Sequence, residues 1–83
     1  MRLQGLYAIT DPRLLPGALL ISGVESALKG GARVIQYRNK QASETIRLRE
    51  AESLLSMVEN YSALLIINDD LELCKRVGAH GVH

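Results

Sequence analysis

The sequence predicts an α/β fold with a parallel sheet and the element order βαβαβαβ. Short apolar, β-prone runs alternate with segments of helical periodicity along the 83 residues. The run from Ala63 to Ile67 is continuously apolar, which is typical of a strand buried on both faces of a parallel sheet. Polar clusters follow each predicted strand. Since parallel strands end at one edge, where α/β sheets bind ligands, we expect these clusters to lie together.

The composition excludes several classes of protein. A hydrophobic content of 47% and a charged content of 23% indicate a globular domain rather than a disordered segment. The net charge of +1 provides no broad basic field, so neither nucleic acid nor an anionic membrane is indicated as a partner. No apolar run approaches the roughly 20 residues of a membrane helix, and no signal-peptide pattern is present. The single cysteine, Cys74, fits a reducing compartment and a packing role, so we expect a cytoplasmic protein.

The first strand and the first helix have recognisable boundaries. The β-prone run from Leu3 to Thr10 predicts strand one, and an Asp-Pro turn closes it. Ser22 is the predicted N-cap of a helix that ends at Lys29, and Glu25 completes a capping box. The glycine pair Gly30-Gly31 ends this helix.

The second strand ends in a cationic cluster. The strand starts near Arg33, and because side chains alternate along a strand, Gln36, Arg38 and Lys40 should point the same way. Arginine offers a planar fork of donors and lysine a compact charge, a combination that suits a phosphate or pyrophosphate. The alternative is a strand that runs into a solvated turn with its charges in water.

The remaining elements follow from the same patterns. In chain order they are a helix from Glu44 to Glu59 capped by Ser43, a strand from Ala63 to Ile67, a helix from Leu71 to Val77 ended by Gly78, and a strand from Ala79 to Val82. The connections are short enough for right-handed crossovers, which favours parallel pairing.

Two further polar clusters are candidates for chemistry. Asn68 and Asp69 follow the third strand, where an Asp carboxylate can bind Mg2+. The rival interpretation is helix capping, by Asp69 in a capping box with Glu72 or by the neighbouring Asp70. With two consecutive Asp residues, one can cap while the other faces the ligand edge.

The two histidines are a poor metal pair. His80 and His83 are three residues apart, so a strand would send them to opposite faces. By position His83 is the better functional candidate, and its alternative is an ordinary polar residue at the end of the chain.

These motifs together resemble the N-terminal half of the thiamine phosphate synthase family. The resemblance is carried by Leu6-Tyr7-Ala8-Ile9-Thr10-Asp11, by Gly30-Gly31-Ala32 leading to Gln36-Tyr37-Arg38-Asn39-Lys40, by Ile67-Asn68-Asp69-Asp70 and by Gly78-Ala79-His80-Gly81-Val82-His83. It covers essentially the whole chain. It implies a (β/α)8 barrel of the TIM type, of which residues 1–83 would be a single partial domain holding the first four strands.

The resemblance also implies a reaction and a set of site residues. The family is a transferase of thiamine biosynthesis that joins hydroxymethylpyrimidine pyrophosphate to thiazole phosphate and releases pyrophosphate. The residues implied to bind the pyrimidine pyrophosphate are Gln36, Tyr37, Arg38, Asn39, Lys40 and Asn68. Asp69 would coordinate Mg2+, and His83 would line the pocket. Cations placed in advance would stabilise the charge that builds on the departing pyrophosphate.

The chain also departs from the family pattern. Asn39 stands where an acidic residue is frequent, and His80 stands where Asp is usual. A (β/α)8 barrel needs about 200 residues or more, so we expect 83 residues alone to be inactive. Two alternatives stay open: a non-catalytic half-barrel that self-associates or pairs with a partner through exposed strand edges, and a relative of thiazole tautomerase.

Overall fold

The computed structural model describes residues 7–12 and 17–83. Its elements are β1 (Tyr7–Ile9), α1 (Ala18–Lys29), β2 (Val34–Tyr37), α2 (Glu44–Asn60), β3 (Leu64–Ile67), α3 (Leu71–Val77) and β4 (Gly81–Val82). The predicted order of strands and helices is confirmed. The predicted start of strand one, at residues 3–6, lies outside the described residues.

The four strands form one parallel sheet in the order β1-β2-β3-β4. Ala8 is in register with Ile35, which is in register with Leu65. The connections between neighbouring strands place the helices on one face of the sheet, and α2 packs against both α1 and α3. The predicted parallel α/β fold is confirmed.

The core lies between the sheet and the helices. The strand side chains buried there are Ala8, Ile35, Tyr37, Leu65 and Ile67, and they pack against buried helix residues that include Val24, Leu54 and Val58. The alternate strand positions face the other way, and Ile9 and Leu64 are 45% and 47% exposed. The described residues therefore cover only one face of the sheet.

Helix α1 begins five residues earlier than predicted. It starts at Ala18, and Ser22 lies inside it, where its hydroxyl donates to the carbonyl three residues earlier at 3.3 Å. The prediction that Ser22 caps this helix is wrong. The apolar first turn buries Leu20, and this burial favours helix without any side-chain cap. Glu25 does not form a capping box and instead accepts a hydrogen bond from the Tyr61 hydroxyl at 3.2 Å.

The predicted cap at the start of α2 and the predicted glycine stop of α3 are confirmed. The Ser43 hydroxyl caps α2 by accepting from the Ile46 amide at 3.3 Å. Gly78 ends α3 in the left-handed conformation with φ 75°, which glycine adopts without steric cost. Helix α2 extends one residue beyond the predicted end, to Asn60. None of the helices within the described ranges is long and apolar enough to cross a membrane.

Strand β4 begins later than predicted because of His80. The His80 amide donates to the Leu65 carbonyl at 3.0 Å, and His80 Nδ1 accepts from the Leu65 amide at 2.9 Å. The imidazole thus acts where a backbone carbonyl would continue the ladder. It lies near the amino ends of the strands, and so at the opposite edge of the sheet from His83.

Candidate functional site

The predicted polar clusters meet at the carboxyl edge of the sheet, around two open depressions. The first, of about 340 Å³, is lined by residues that include Thr10, Asp11, Arg38 and Lys40. The second, of about 350 Å³, is named here the edge cleft and is lined by Asn39, Lys40, Arg47, Asn68, Asp69 and Asp70. Lys40 lines both depressions. The strand ends of β1, β2 and β3 are therefore brought together as predicted.

An exposed ion pair joins the ends of β2 and β3. Lys40 Nζ lies 3.5 Å from Asp69 Oδ2, and the two side chains are 63% and 65% exposed. An exposed pair at this distance contributes about 0–1 kcal/mol to stability. Both charges are accessible to a ligand in the edge cleft.

The backbone of Asp69 is held in an uncommon conformation. Asp69 has φ 55°, in the left-handed region that few residues other than glycine adopt. Its amide donates to the His83 carbonyl at 2.9 Å, and the His83 amide donates to the Ile67 carbonyl at 2.9 Å. The backbone of His83 therefore fixes the turn that presents Asp69. The His83 side chain is exposed.

Asp70, rather than Asp69, caps helix α3. Asp70 Oδ1 accepts from the Leu73 amide at 2.9 Å, and Oδ2 pairs with the Arg47 guanidinium. The capping-box interpretation of Asp69 is therefore wrong. The backbone of Asp69 has φ 55°, and its carboxylate contacts Lys40 rather than the amides of α3. Arg47 was not among the site residues expected from the sequence. Its partner is 23 residues away, and no local pattern signals such a contact.

Gln36 and Asn68 form a row of amides on the face of the sheet away from the helices. Gln36 is 4% exposed, and its Nε2 donates to the Tyr7 hydroxyl. Gln36 Oε1 accepts from Asn68 Nδ2 at 3.2 Å. The expected convergence of Gln36, Arg38 and Lys40 is partial. Gln36 contacts Asn68 on this face of the sheet, whereas Arg38 and Lys40 are exposed beyond the end of β2.

Tyr37 and Asn39 are directed toward helix α2. The Tyr37 hydroxyl donates to Glu50 Oε1 at 2.5 Å, and Asn39 Nδ2 donates to the same oxygen at 3.1 Å. Asn39 Oδ1 also accepts from the amides of Gln41 and Ala42, which closes the loop after β2. Burial, and then the hydrogen bond to the Glu50 carboxylate, raise the pKa of the Tyr37 phenol well above its ordinary value.

Thr10 is a second residue that sequence reasoning did not assign to the site. It is 2% exposed, and its hydroxyl accepts from the Arg38 amide at 2.9 Å. The sequence signal was its position at the end of a strand, which alone does not distinguish a buried contact from a solvated hydroxyl.

The donor set fits a cation only in part. Within residues 7–12 and 17–83, no group of three or more His, Cys, Asp or Glu side chains could hold a metal. Asp69 offers one exposed carboxylate beside Asn68. Mg2+ usually takes one or two protein carboxylates and completes its shell with waters and substrate phosphates, so this set fits a magnesium ion that arrives with a phosphorylated ligand.

Comparisons with known proteins agree on one family. Residues 6–83 match the family described as thiamine monophosphate synthase. A thiamine-phosphate synthase from Marinobacter nauticus is 54% identical over 79 residues, which are 95% of this chain and 36% of that protein. The solved thiamine phosphate pyrophosphorylase from Pyrococcus furiosus superposes with a TM-score of 0.82 at 34% identity, covering 92% of this chain and 36% of that one. The chain thus spans little more than a third of the length of these relatives.

Proposed function

Since the chain belongs to the thiamine monophosphate synthase family, we propose that its strand ends form the pyrimidine pyrophosphate half of a thiamine phosphate synthase site. The predicted family resemblance is confirmed by the family match and by the relative at 54% identity. The reaction proposed for the whole protein joins hydroxymethylpyrimidine pyrophosphate to thiazole phosphate and releases pyrophosphate.

The observation that carries the proposal is the ion pair between Lys40 and Asp69. In proteins, a pyrophosphate bound with Mg2+ is usually held by cationic side chains on its oxygens and by one or two carboxylates on the ion. Here both stand on neighbouring strand ends, both are about two-thirds exposed, and their 3.5 Å separation is long for a charge-assisted hydrogen bond. A ligand can therefore replace this contact at little cost in stability.

The other residues divide into contact groups and supporting groups. We assign direct contact with the pyrophosphate to Arg38 and Lys40, which are exposed at the edge. We propose that the partly exposed Asn68 contacts the pyrimidine side, and that Gln36, which is 4% exposed, holds it there through their shared hydrogen bond. Cations fixed before the reaction favour the transition state over the ground state because the departing pyrophosphate gains negative charge.

Tyr37 and Asn39 support this edge from the helix side of the sheet. Both donate to Glu50 on α2, so they anchor the start and middle of the loop that carries Arg38 and Lys40. We therefore propose an indirect role for Tyr37, whose buried side chain faces the helices. His83 fixes the Asp69 backbone, and we propose that its exposed imidazole lines the pocket.

We propose Mg2+ as the cofactor, because a carboxylate oxygen suits this hard cation. Asp69 would hold the ion, and the pyrophosphate would supply further oxygens. When bound, the ion neutralises charge on the leaving pyrophosphate. Asp69 is suited to this role because the neighbouring Asp70 already provides the cap and pairs with Arg47.

We also propose that residues 1–83 are one partial domain of a cytoplasmic biosynthetic enzyme, corresponding to the first strands of a barrel. The support is the sheet face that carries Ile9 and Leu64, which the described helices leave half exposed. This face also favours a second candidate function, non-catalytic association with a second copy of the chain. Sedimentation velocity would show a dimer if that candidate is correct and a monomer if it is not.

Titration calorimetry tests the proposed function. The chain is titrated with hydroxymethylpyrimidine pyrophosphate, with and without Mg2+. We expect Mg2+ to strengthen binding and Arg38→Ala to weaken it about tenfold or more, as for loss of a charge-assisted hydrogen bond. Lys29→Ala is the matched control, because Lys29 is an exposed cation in the last turn of α1, near the amino edge. Equal losses in both variants would count against the site.

A further inference from the structure

We infer that Thr10 is a positioning residue for Arg38, acting through the Arg38 backbone; this inference rests on the proposed function. Thr10 follows β1 and Arg38 follows β2, so the contact links two strand ends that are 28 residues apart in sequence. The side chain of Thr10 is 2% exposed, so water does not compete for its hydroxyl.

One hydroxyl contacts both backbone groups of Arg38. Thr10 Oγ1 accepts from the Arg38 amide at 2.9 Å, a normal hydrogen-bond length. The same hydroxyl points its donor at the Arg38 carbonyl oxygen at 3.4 Å, which is longer than an ordinary O–H···O hydrogen bond, so this second contact is weak. The first contact fixes the peptide group on the amino side of the Arg38 Cα atom, and the second adds only a weak contact on the carbonyl side.

The Thr10 hydroxyl replaces a backbone carbonyl where the hydrogen-bond ladder between β1 and β2 ends. The Thr10 amide donates to the Gln36 carbonyl at 2.9 Å, which is the last regular bond between β1 and β2. In a parallel ladder the next bond would run from the Arg38 amide to the Thr10 backbone carbonyl. The Arg38 amide donates to the Thr10 side chain instead. The chain of β2 can thus leave the sheet at Arg38 without leaving this amide unpaired.

This arrangement determines where the Arg38 side chain starts. An exposed arginine side chain has many rotamers. A Cα atom that is also free to move would make the position of the guanidinium still less defined. Such placement matters for a reacting site, because a displacement of about 1 Å between reacting groups can lower the reaction rate by a large factor. The Thr10 hydroxyl therefore acts on the pyrophosphate site through Arg38 without touching the ligand.

Two matched pairs of side chains isolate the hydroxyl. Thr10→Val keeps the shape of threonine and removes the hydroxyl. Thr10→Ser and Thr10→Ala differ from each other by the hydroxyl alone, so they give the same comparison if the valine variant does not fold. Two quantities are measured for each folded variant: the hydrogen-exchange rate of the Arg38 amide, and the calorimetric affinity for hydroxymethylpyrimidine pyrophosphate with Mg2+.

We expect the variants without the hydroxyl to exchange the Arg38 amide about tenfold faster and to bind about tenfold more weakly, as for one lost hydrogen bond to a buried group. Thr10→Ser should keep both properties close to those of the original chain. Equal losses in the serine and alanine variants would mean a packing role and would overturn the inference, as would unchanged exchange at Arg38 in the valine variant.

The two proposals fail in different ways. If the original chain binds and Arg38→Ala weakens binding, but the hydroxyl variants bind normally, the positioning role is wrong and the proposed function stands. If the original chain does not bind and Arg38→Ala changes nothing, the proposed function fails. The positioning inference then fails with it, even where exchange shows that Thr10 fixes the Arg38 amide.

Discussion

Lys40 Nζ lies 3.5 Å from Asp69 Oδ2, and this contact joins the loop after β2 to the turn after β3 at the surface of the sheet edge. Each partner is held in place by its own backbone rather than by the pair. The Lys40 loop is closed by Asn39, and the Asp69 turn is fixed by the His83 carbonyl. Breaking the ion pair should therefore change what the edge binds more than it changes stability.

Replacing Lys40 separates binding from folding. We expect Lys40→Ala to lower the free energy of unfolding by less than about 1 kcal/mol, because the pair is exposed. Binding of hydroxymethylpyrimidine pyrophosphate should fall about tenfold or more, since a charge-assisted hydrogen bond to phosphate is lost. Urea denaturation and calorimetry measure the two quantities. A loss of stability as large as the loss of binding energy would contradict the site role.

Replacing Asp69 tests the magnesium assignment. Asp69→Asn should reduce the increase in affinity that Mg2+ produces, because a neutral amide is a weaker ligand for a hard cation. Stability should change little, since asparagine tolerates the left-handed conformation with φ 55°. Calorimetry at several Mg2+ concentrations measures the effect, and an unchanged dependence on Mg2+ would exclude Asp69 as the ligand.

Asp70→Ala is the control for Asp69. It removes the cap of α3 and leaves the Arg47 guanidinium without its carboxylate. We expect it to lower the free energy of unfolding by about 1–3 kcal/mol. If Asp69→Asn destabilised the chain as much as Asp70→Ala does, the distinction between ligand and cap would be wrong.

The buried phenol of Tyr37 predicts a loss of stability in alkaline solution. Burial and the Glu50 carboxylate raise its pKa in the folded chain above the unfolded value of about 10. The stabilisation is therefore complete below about pH 10 and is lost as the pH rises beyond it, since the unfolded chain releases the proton first.

Urea denaturation at about pH 8 and about pH 11, on either side of the ordinary phenol pKa, measures this effect. Tyr37→Phe has no proton to lose at this position, so its stability should fall less between the two pH values. An equal fall in both chains would show that other groups cause the alkaline loss.

The imidazole of His80 should stabilise the start of β4. His80→Ala removes the acceptor of the Leu65 amide, and we expect a loss of about 1 kcal/mol. His80→Asn offers an amide oxygen in its place and should recover part of that loss. Thermal melting and hydrogen exchange at Leu65 measure the effect, and no change in Leu65 exchange in the alanine variant would contradict it.

The fold could be predicted because its signals are local. The apolar run of β3, the capping serine of α2 and the glycine after α3 each act over a few residues, and all three were placed correctly. The start of α1 was not, since Ser22 matched a capping pattern while burial of Leu20 favoured a helix that begins five residues earlier. A cap contributes about 1 kcal/mol, which packing of one buried leucine can exceed.

The site could be predicted only as far as strand alternation and chain order allow. These placed Lys40 near Asp69, but they could not show which way each side chain turns once the strand ends at Tyr37. The contacts of Thr10 with Arg38 and of Arg47 with Asp70 are 28 and 23 residues apart, and they depend on how elements pack.

The central claim is that the carboxyl edge of the sheet binds the pyrimidine pyrophosphate with Mg2+. The most direct measurement is the change in backbone amide NMR shifts when the isotope-labelled chain is titrated with hydroxymethylpyrimidine pyrophosphate and Mg2+. The claim predicts shifts concentrated at residues 38–41 and 68–70. Shifts concentrated at the amino edge, around residues 30–32 and 78–80, or no saturable shifts at all, would contradict it.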